Sequence, residues 1–210
     1  MASPVRRRAP IETEDRSERA ARERTWIREM RAGQVSAFEA LFREYVGPLH
    51  AYAFHCVGAR ADAEEIVQEV FFRVWLRRSE WHEEDNVRAY LYRAVRNQCL
   101  DYLKHERIDR LWRERTASDA RQAGPRHEVT ALERIEAGEL MDAVTDAMAK
   151  LTPRSREVLV LRWTHHLTNA EVAAVLGISV KGVEIQRTRA LRALRIALAP
   201  HLGSEASSSS

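Results

Sequence analysis

The chain has 210 residues, 45% hydrophobic and 31% charged, with a formal net charge of +3. That length suits one ordinary domain or two small ones with packed cores. No apolar run approaches the roughly 20 residues of a membrane helix, and the basic start "MASPVRRRAP" lacks the apolar stretch of a secretory signal, so neither membrane insertion nor secretion is expected.

The charge is unevenly spread. Arg60 to Asn86 holds four Arg against eight acidic residues, a net of −4, whereas Lys150 to Pro200 holds nine Lys and Arg against three Glu, a net of +6. A basic end suits phosphate and an acidic segment suits a basic protein partner, although either can be a solvated face. With eight Gly, six Pro and no convincing β-branched alternation, the chain reads as all-α.

Residues 1–24 are charged and poor in large apolar groups, and are expected to be disordered. A helix is expected from about Ser36, with Phe38, Leu41, Phe42, Tyr45, Leu49, Tyr52 and Cys56 on its apolar face. Pro48 should kink or divide it, and Gly58 breaks it. Asp62 is the expected N-cap of a second helix that turns Ile66, Val67, Val70, Phe71, Val74 and Trp75 inward. Its outward residues are Asp62, Glu65, Gln68, Glu69 and Arg73. After the polar turn "RRSEWHEEDN", a third helix runs from about Val87 to His105 or beyond, its apolar members being Leu91, Val95, Cys99, Leu100 and Leu103. Cys56 and Cys99 sit in apolar patterns without metal-ligand spacing, so both are expected as buried thiols in a reducing cytoplasm.

Periodicity is lost in "RERTASDARQAGPRHE", read as a linker, and helix resumes near Thr130 with Leu132, Ile135, Leu140, Val144 and Met148 as a stripe. The expected layout is a helical domain over 25–112, a flexible linker over 113–129 and a second helical domain over 130–200. The tail 201–210, "LGSEASSSS" after His201, is read as flexible.

In the second domain, Thr152–Pro153 marks a helix start. Thr168 and Glu171 form a Thr-x-x-Glu capping box, Gly177 suits a left-handed helix end, and Ser179 caps the next helix. Two helices joined by a short Gly-containing turn make a helix-turn-helix, whose second helix places its first turns against base edges. Val183, Ala190 and Leu194 fall on the core side of that helix, and Lys181, Glu184, Ile185 and Thr188 on another. Arg187, Arg189, Arg192 and Arg195 can hold phosphates, which position without specifying. His165 and His166 are adjacent, point about 100° apart on a helix and have no third ligand, so a loop or helix-end pair is expected rather than a metal site. Gly-rich phosphate loops and catalytic triads are absent from the sequence, and neither cofactor, metal nor enzymatic activity is expected.

The stretch "LTPRSREVLVLRWTHHLTNAEVAAVLGISVKGVEIQRTRALRAL" resembles both the DNA-binding domain of LuxR-type regulators and the fourth region of bacterial sigma factors. The upstream half separates them. "DAEEIVQEVFFRVWLRRSEW" followed by "NVRAYLYRAVRNQCLDYLKHER" resembles the second region of extracytoplasmic-function (ECF) sigma factors, a group of the sigma-70 family. The resemblance covers Ala37 to Ile108 and Leu140 to Leu198. It implies a region 2-like bundle and a region 4-like helix-turn-helix, and a subunit that brings promoter recognition, DNA melting and initiation to core RNA polymerase. The implied partners are the clamp helices and flap of core polymerase, promoter DNA and an anti-sigma factor. Core docking is carried to Asp62, Glu65, Gln68, Glu69 and Arg73. The −10 element is carried to Trp81, His82, Asn86, Arg88, Tyr90, Tyr92, Arg93, Arg96, Asn97 and Lys104, with core packing equally open for Trp81, Tyr90 and Tyr92. The −35 element is carried to Thr168, Ser179, Lys181, Gly182, Glu184, Ile185, Arg187, Thr188, Arg189 and Arg192. Two positions depart from the commonest pattern. Glu184 stands where a basic residue is usual and can accept from cytosine N4, and Arg187 stands where an apolar one is usual. A free-standing helix-turn-helix regulator and a protein-binding adaptor are the alternatives.

Overall fold

A computed structural model describes residues 11–82, 86–116 and 139–202, and the regular elements among them are all helical. They are α1 (Ile11–Arg31), α2 (Val35–Val57), α3 (Arg60–Leu76), α4 (Val87–Thr116), α5 (Glu139–Ala149), α6 (Pro153–Leu159), α7 (Asn169–Leu176) and α8 (Val180–Leu202). A 3-10 turn follows α3 at Arg78–Glu80, and a π-helical turn, Val160–Thr164, extends α6.

Residues 11–24, expected to be disordered, instead belong to α1. The helix is anchored by its last turns, where Ile27 and Met30 are buried and the Glu23 carboxylate accepts a hydrogen bond from the Tyr45 hydroxyl of α2. Burial raises the pKa of Glu23, and the bond from Tyr45 partly offsets that rise. Few large apolar residues precede Trp26, so the periodicity that would announce a helix is missing from its first half. Residues 1–10 lie outside the described residues.

Helix α2 runs unbroken through Pro48, contrary to the expected division. The ring is on the exposed side, while Leu41, Tyr45, Leu49 and Tyr52 on either side of it bury into one core. Burial of several large side chains, each worth about 1.5–3 kcal/mol, outweighs a local proline penalty of about 3 kcal/mol. Gly58, at φ 77, ends the helix and donates to the Phe54 carbonyl at 2.8 Å.

Helix α3 starts at Arg60, so its N-cap is Ala59 and not Asp62. Asp62 lies in the first turn, where the helix dipole favours an anion, and accepts from the Tyr102 hydroxyl of α4 at 2.7 Å. Phe71 packs between Phe38 and Phe42, with centroids at 6.1 and 4.8 Å, and Trp75 lies 5.2 Å from Phe38. Asn86 caps α4 by accepting from the Ala89 N–H at 2.8 Å. Val87, Leu91, Tyr92, Val95 and Cys99 are buried, but Leu100 and Leu103, expected on the same side, are exposed. Helix α4 continues to Thr116, so the first residues of the expected linker are helical. The rest of that linker, and the expected helix start near Thr130 with Leu132 and Ile135, lie outside the described residues.

The C-terminal half follows its sequence signals closely. Thr152 caps α6 by accepting from the Ser155 N–H at 3.2 Å, with Pro153 at the first helical position. Thr168 and Glu171 complete the reciprocal capping box, and Ser179 accepts from the Gly182 N–H at 3.0 Å. Helices α5, α6 and α8 share a small core of Ala147, Leu151, Leu159, Ala190 and Leu194. The larger core is continuous across the expected domain boundary: side chains of α1 to α4 join Val158, Leu161, Leu167, Val172, Val175 and Val183. The two helical units thus pack on each other, with α4 against α7.

Gly177 ends α7 at φ 63, with no heavy atom within 4 Å of where a Cβ would stand. The cost of a side chain there is therefore backbone strain alone. Gly177→Ala should lower stability by about 1–2 kcal/mol, read as a drop in Tm; an unchanged Tm would refute the left-handed assignment.

Candidate nucleic-acid interface

The outer side of α3 has two characters. Glu65 and Gln68 are exposed, and Glu69 pairs with Arg73 at 2.7 Å, both side chains about half exposed. A helical pair of that kind contributes a few tenths of a kcal/mol and leaves both charges able to exchange partners. Asp62 is partly covered by Tyr102. One turn further on, Phe72 and Leu76 are 57% and 58% exposed, which the sequence reading did not single out. In "EVFFRVWL" they are the apolar residues left over once Phe71, Val74 and Trp75 take the core positions, and that surplus was the available signal. Phe72 and Leu76 border a groove of about 690 Å³ between α3 and α4, whose opposite wall carries Tyr90, Arg93 and Asn97.

A second concavity, of about 370 Å³, is lined by Arg77, Glu80, Trp81, His82, Asn86 and Tyr90. Trp81 is buried and Tyr90 stands edge-on to it, with centroids 4.5 Å apart at 71°. Trp81 therefore acts as the support and Tyr90, 39% exposed, offers the free ring. Arg93, Asn97 and Lys104 are exposed further along α4. An aromatic ring over a small pocket, followed by cations along one helix, has the chemistry that an unstacked base and its phosphates require.

On α8, Lys181, Glu184, Ile185, Thr188, Arg189 and Arg192 are all exposed, and Val183, Ala190 and Leu194 are buried as the period demands. Thr168 and Ser179 spend their hydroxyls on the backbone, holding the two helix starts. Gly182 lies against Ser179, whose Oγ would stand 3.3 Å from an added Cβ, so the first turn admits only a small residue without adjustment. Arg187 is half-buried and its Nε is enclosed without a hydrogen-bond partner, so its stem packs along the seam.

Two family models match the chain: Sigma-70 region 2 over residues 41–108 and Sigma-70, region 4 over residues 141–194. The RNA polymerase sigma factor CnrH of Cupriavidus metallidurans is 32% identical over 140 residues, 61% of this chain and 70% of that protein. The chain belongs to the ECF group of sigma-70-family RNA polymerase sigma factors. Its function is promoter recognition and transcription initiation. The ECF sigma factor BldN of Streptomyces coelicolor is 28% identical over 176 residues, 83% of this chain but only 65% of that longer protein. Among solved structures, CnrH in complex with the cytosolic domain of CnrY superposes with a TM-score of 0.60 at 26% identity, covering 85% of this chain and 98% of that one. The sigma factor RpoE of Bartonella quintana, solved with the anti-sigma factor NepR, shares the fold with a TM-score of 0.56 at 18% identity, covering 77% and 96%.

In this sigma factor, three residues expected to meet −10 DNA are turned toward region 4. Arg88 is buried and donates to the carbonyls of His165 and His166, the latter at 3.2 Å, with the Glu171 carboxylate at 3.9 Å. The π-helical turn leaves those carbonyls outside the helical ladder, and the negative end of the helix favours a cation there. Tyr92 is fully buried, with its hydroxyl 3.0 Å from His165 Nδ1 and its ring 5.4 Å from that of Tyr52. Burial raises its pKa to about 12. Arg96 grips Glu157 of α6 through Nε at 2.7 Å and a second nitrogen at 3.4 Å, and Tyr52 donates to the same carboxylate at 3.0 Å. Burial works against the charge of Arg96, but the bond and charge of Glu157 outweigh it and raise the pKa. Arg88, Tyr92 and Arg96 are thus interdomain contacts in the packed state. The sequence marks them as cationic and aromatic but carries nothing to say which surface they meet.

His165 lies 6% exposed at the centre of this interface, between Tyr52 and Tyr92. Burial, then the nearby His55, Arg88 and His166, lower its pKa from 6.5 to about 4. A group lowered in the folded state binds fewer protons there than in the unfolded state between those two values. Its contribution is complete above pH 6.5 and is lost as the pH falls toward 4. Glu23, with its raised pKa, works in the opposite sense. Comparing wild type with His165→Phe isolates the histidine: the stability difference should change by up to about tenfold in equilibrium constant per pH unit between 6.5 and 4. Parallel stability curves in urea across that range would rule the buried neutral imidazole out.

Proposed function

We propose that this sigma factor docks on the clamp helices of core polymerase through the outer face of α3. Glu65, Gln68, Glu69 and Arg73 supply register, with Phe72 and Leu76 as the apolar centre. Polar rims steer and orient, whereas exposed aromatic and aliphatic anchors carry most of the affinity. The pocket beneath Tyr90, with Trp81, His82 and Asn86, receives an unpaired base of the −10 element, and Arg93, Asn97 and Lys104 follow its backbone. The first turns of α8 read the −35 element through Lys181, Glu184, Ile185 and Thr188, while Arg189 and Arg192 hold phosphates and region 4 rests on the flap. The reading rests on one observation: both sigma regions occur in order, each presenting a surface suited to DNA. The role calls for no catalysis and places the protein in the cytoplasm with its polymerase. CnrY on CnrH and NepR on RpoE support a protein partner of the anti-sigma kind here as well.

The packed arrangement cannot grip both elements. Positions −35 and −10 are about 25 base pairs apart, or about 85 Å at about 3.4 Å per pair. A compact body of this length has a radius of gyration of about 17 Å. Region 4 must therefore leave region 2, breaking the Arg88 and Glu157 contacts. That separation exposes Arg88, Tyr92 and Arg96, which then join the −10 face.

Run-off transcription with core polymerase alone tests the role. A sigma factor yields promoter-dependent transcripts with no other initiation factor, and neither transcripts nor core binding on any promoter would overturn it. In selection of bound DNA, Lys181→Ala and Glu184→Ala should each shift the preferred −35 sequence, at about 1–3 kcal/mol per affected base. Arg192→Ala should weaken all sequences alike. Glu157→Ala should favour the opened state and raise apparent affinity for core polymerase by about 5–30-fold, for about 1–2 kcal/mol of lost interdomain binding; reduced affinity would count against the packed state as a competitor.

A further inference from the structure

Helix α8 carries five Lys and Arg residues, Lys181, Arg187, Arg189, Arg192 and Arg195, and a single carboxylate, Glu184. Its rotation about its own axis is fixed. Val183, Ala190 and Leu194 are buried, Ser179 holds the first turn, and the Ser155 hydroxyl of α6 donates to Gln186 Oε1 at 2.8 Å. Ser155 is itself 4% exposed and accepts from Thr152 Oγ1 at 2.9 Å, so this tie is built into the body of region 4. Glu184 is thereby held outward, next to Lys181 one turn earlier. Both side chains are exposed, and among the described residues neither is engaged in a hydrogen bond or ion pair, with the other or with anything else. A surface that only gripped phosphates would hold them better without that carboxylate.

We infer, on the reading of α8 as the −35 helix proposed above, that Lys181 and Glu184 together select one C·G base pair, with Glu184 on the cytosine and Lys181 on its guanine. An ionised carboxylate only accepts hydrogen bonds. In the major groove the available donors are cytosine N4 and adenine N6, whereas guanine presents O6 and N7 and thymine O4, all acceptors. Glu184 therefore favours C or A and repels G or T. Adenine carries the N7 lone pair beside its N6 donor, where cytosine has only a C–H, so the carboxylate prefers C. Residues three apart on a helix have Cβ atoms about 5–6 Å apart, close enough to serve the two bases of one pair. The Lys181 ammonium has three donors and meets O6 and N7 of the paired guanine. Selection is then two-sided: C·G is attracted, and any pair that sets an acceptor against the carboxylate is repelled. Arg189 and Arg192 hold phosphates, which leaves Glu184 free to discriminate.

Promoter DNA randomised across the −35 element, selected with holoenzyme made from core polymerase and the full-length chain and then sequenced, tests the assignment. Wild type should enrich C·G at one position by at least about fivefold over each other pair. Glu184→Gln should change that base from C to A, because a carboxamide both accepts and donates and so pairs with adenine N6 and N7. Lys181→Ala should weaken the choice at the same position and leave its neighbours as they were. Glu184→Ala should raise binding to the G and T versions of the site by about fivefold, since a repulsion is lost with the attraction. Both side chains are exposed, so an unchanged Tm in each variant is the control for folding. A selective holoenzyme with no C·G position, or with a C·G preference that Glu184→Gln leaves in place, overturns the assignment while α8 remains the reader. A flat selection across the whole −35 element overturns both.

Discussion

The guanidinium of Arg88 organises the meeting of the two halves. A buried cation must find acceptors, and the carbonyls that end the π-helical turn after α6 supply them together with Glu171. Leaving that charge unpaired in the interior would cost several kcal/mol, so the contact is kept whole or abandoned altogether. Tyr92, His165, Tyr52 and Glu157 then follow around it, and a single core extends from α1 to α8. Its contacts are cohesive enough to hold, yet consist of polar groups that water or phosphate could satisfy equally.

The opposing demands meet on α4. One side of this helix carries Tyr90, Arg93 and Asn97 toward the open groove, and the other carries Arg88, Tyr92 and Arg96 toward region 4. A helix 30 residues long offers both sides without distortion. Cations and tyrosines suit either surface, since a carbonyl, a carboxylate and a phosphate are all oxygen acceptors that an arginine can satisfy. The two sides of α4 thus carry similar chemistry to different surfaces.

The α3 face is a different case. Its polar residues are readable from sequence because charge at helical spacing is conspicuous. Phe72 and Leu76 escape notice because apolar residues in a helix are ordinarily assigned inward. Only the packing of Phe71 and Trp75 against Phe38 and Phe42 shows that the core has no room for two more. The surplus becomes surface, next to a groove, where an exposed apolar group has reason to stay.

Local rules determined much of this protein. The caps at Thr152, Thr168 and Ser179, the left-handed Gly177 and the buried stripe of α8 are all contained in stretches of a few residues, because capping and periodicity are short-range. The all-helical class and the exposed face from Lys181 to Thr188 came the same way. Pro48 and Asp62 went otherwise: burial on both sides carried α2 through its proline, and a start three residues earlier turned a presumed cap into a partner for Tyr102. Helix α1 depended on Tyr45, a residue of another helix. The side of α4 that meets region 4 required contacts between residues tens of positions apart. Periodicity assigns a residue to a face; only the assembled tertiary structure decides what that face meets.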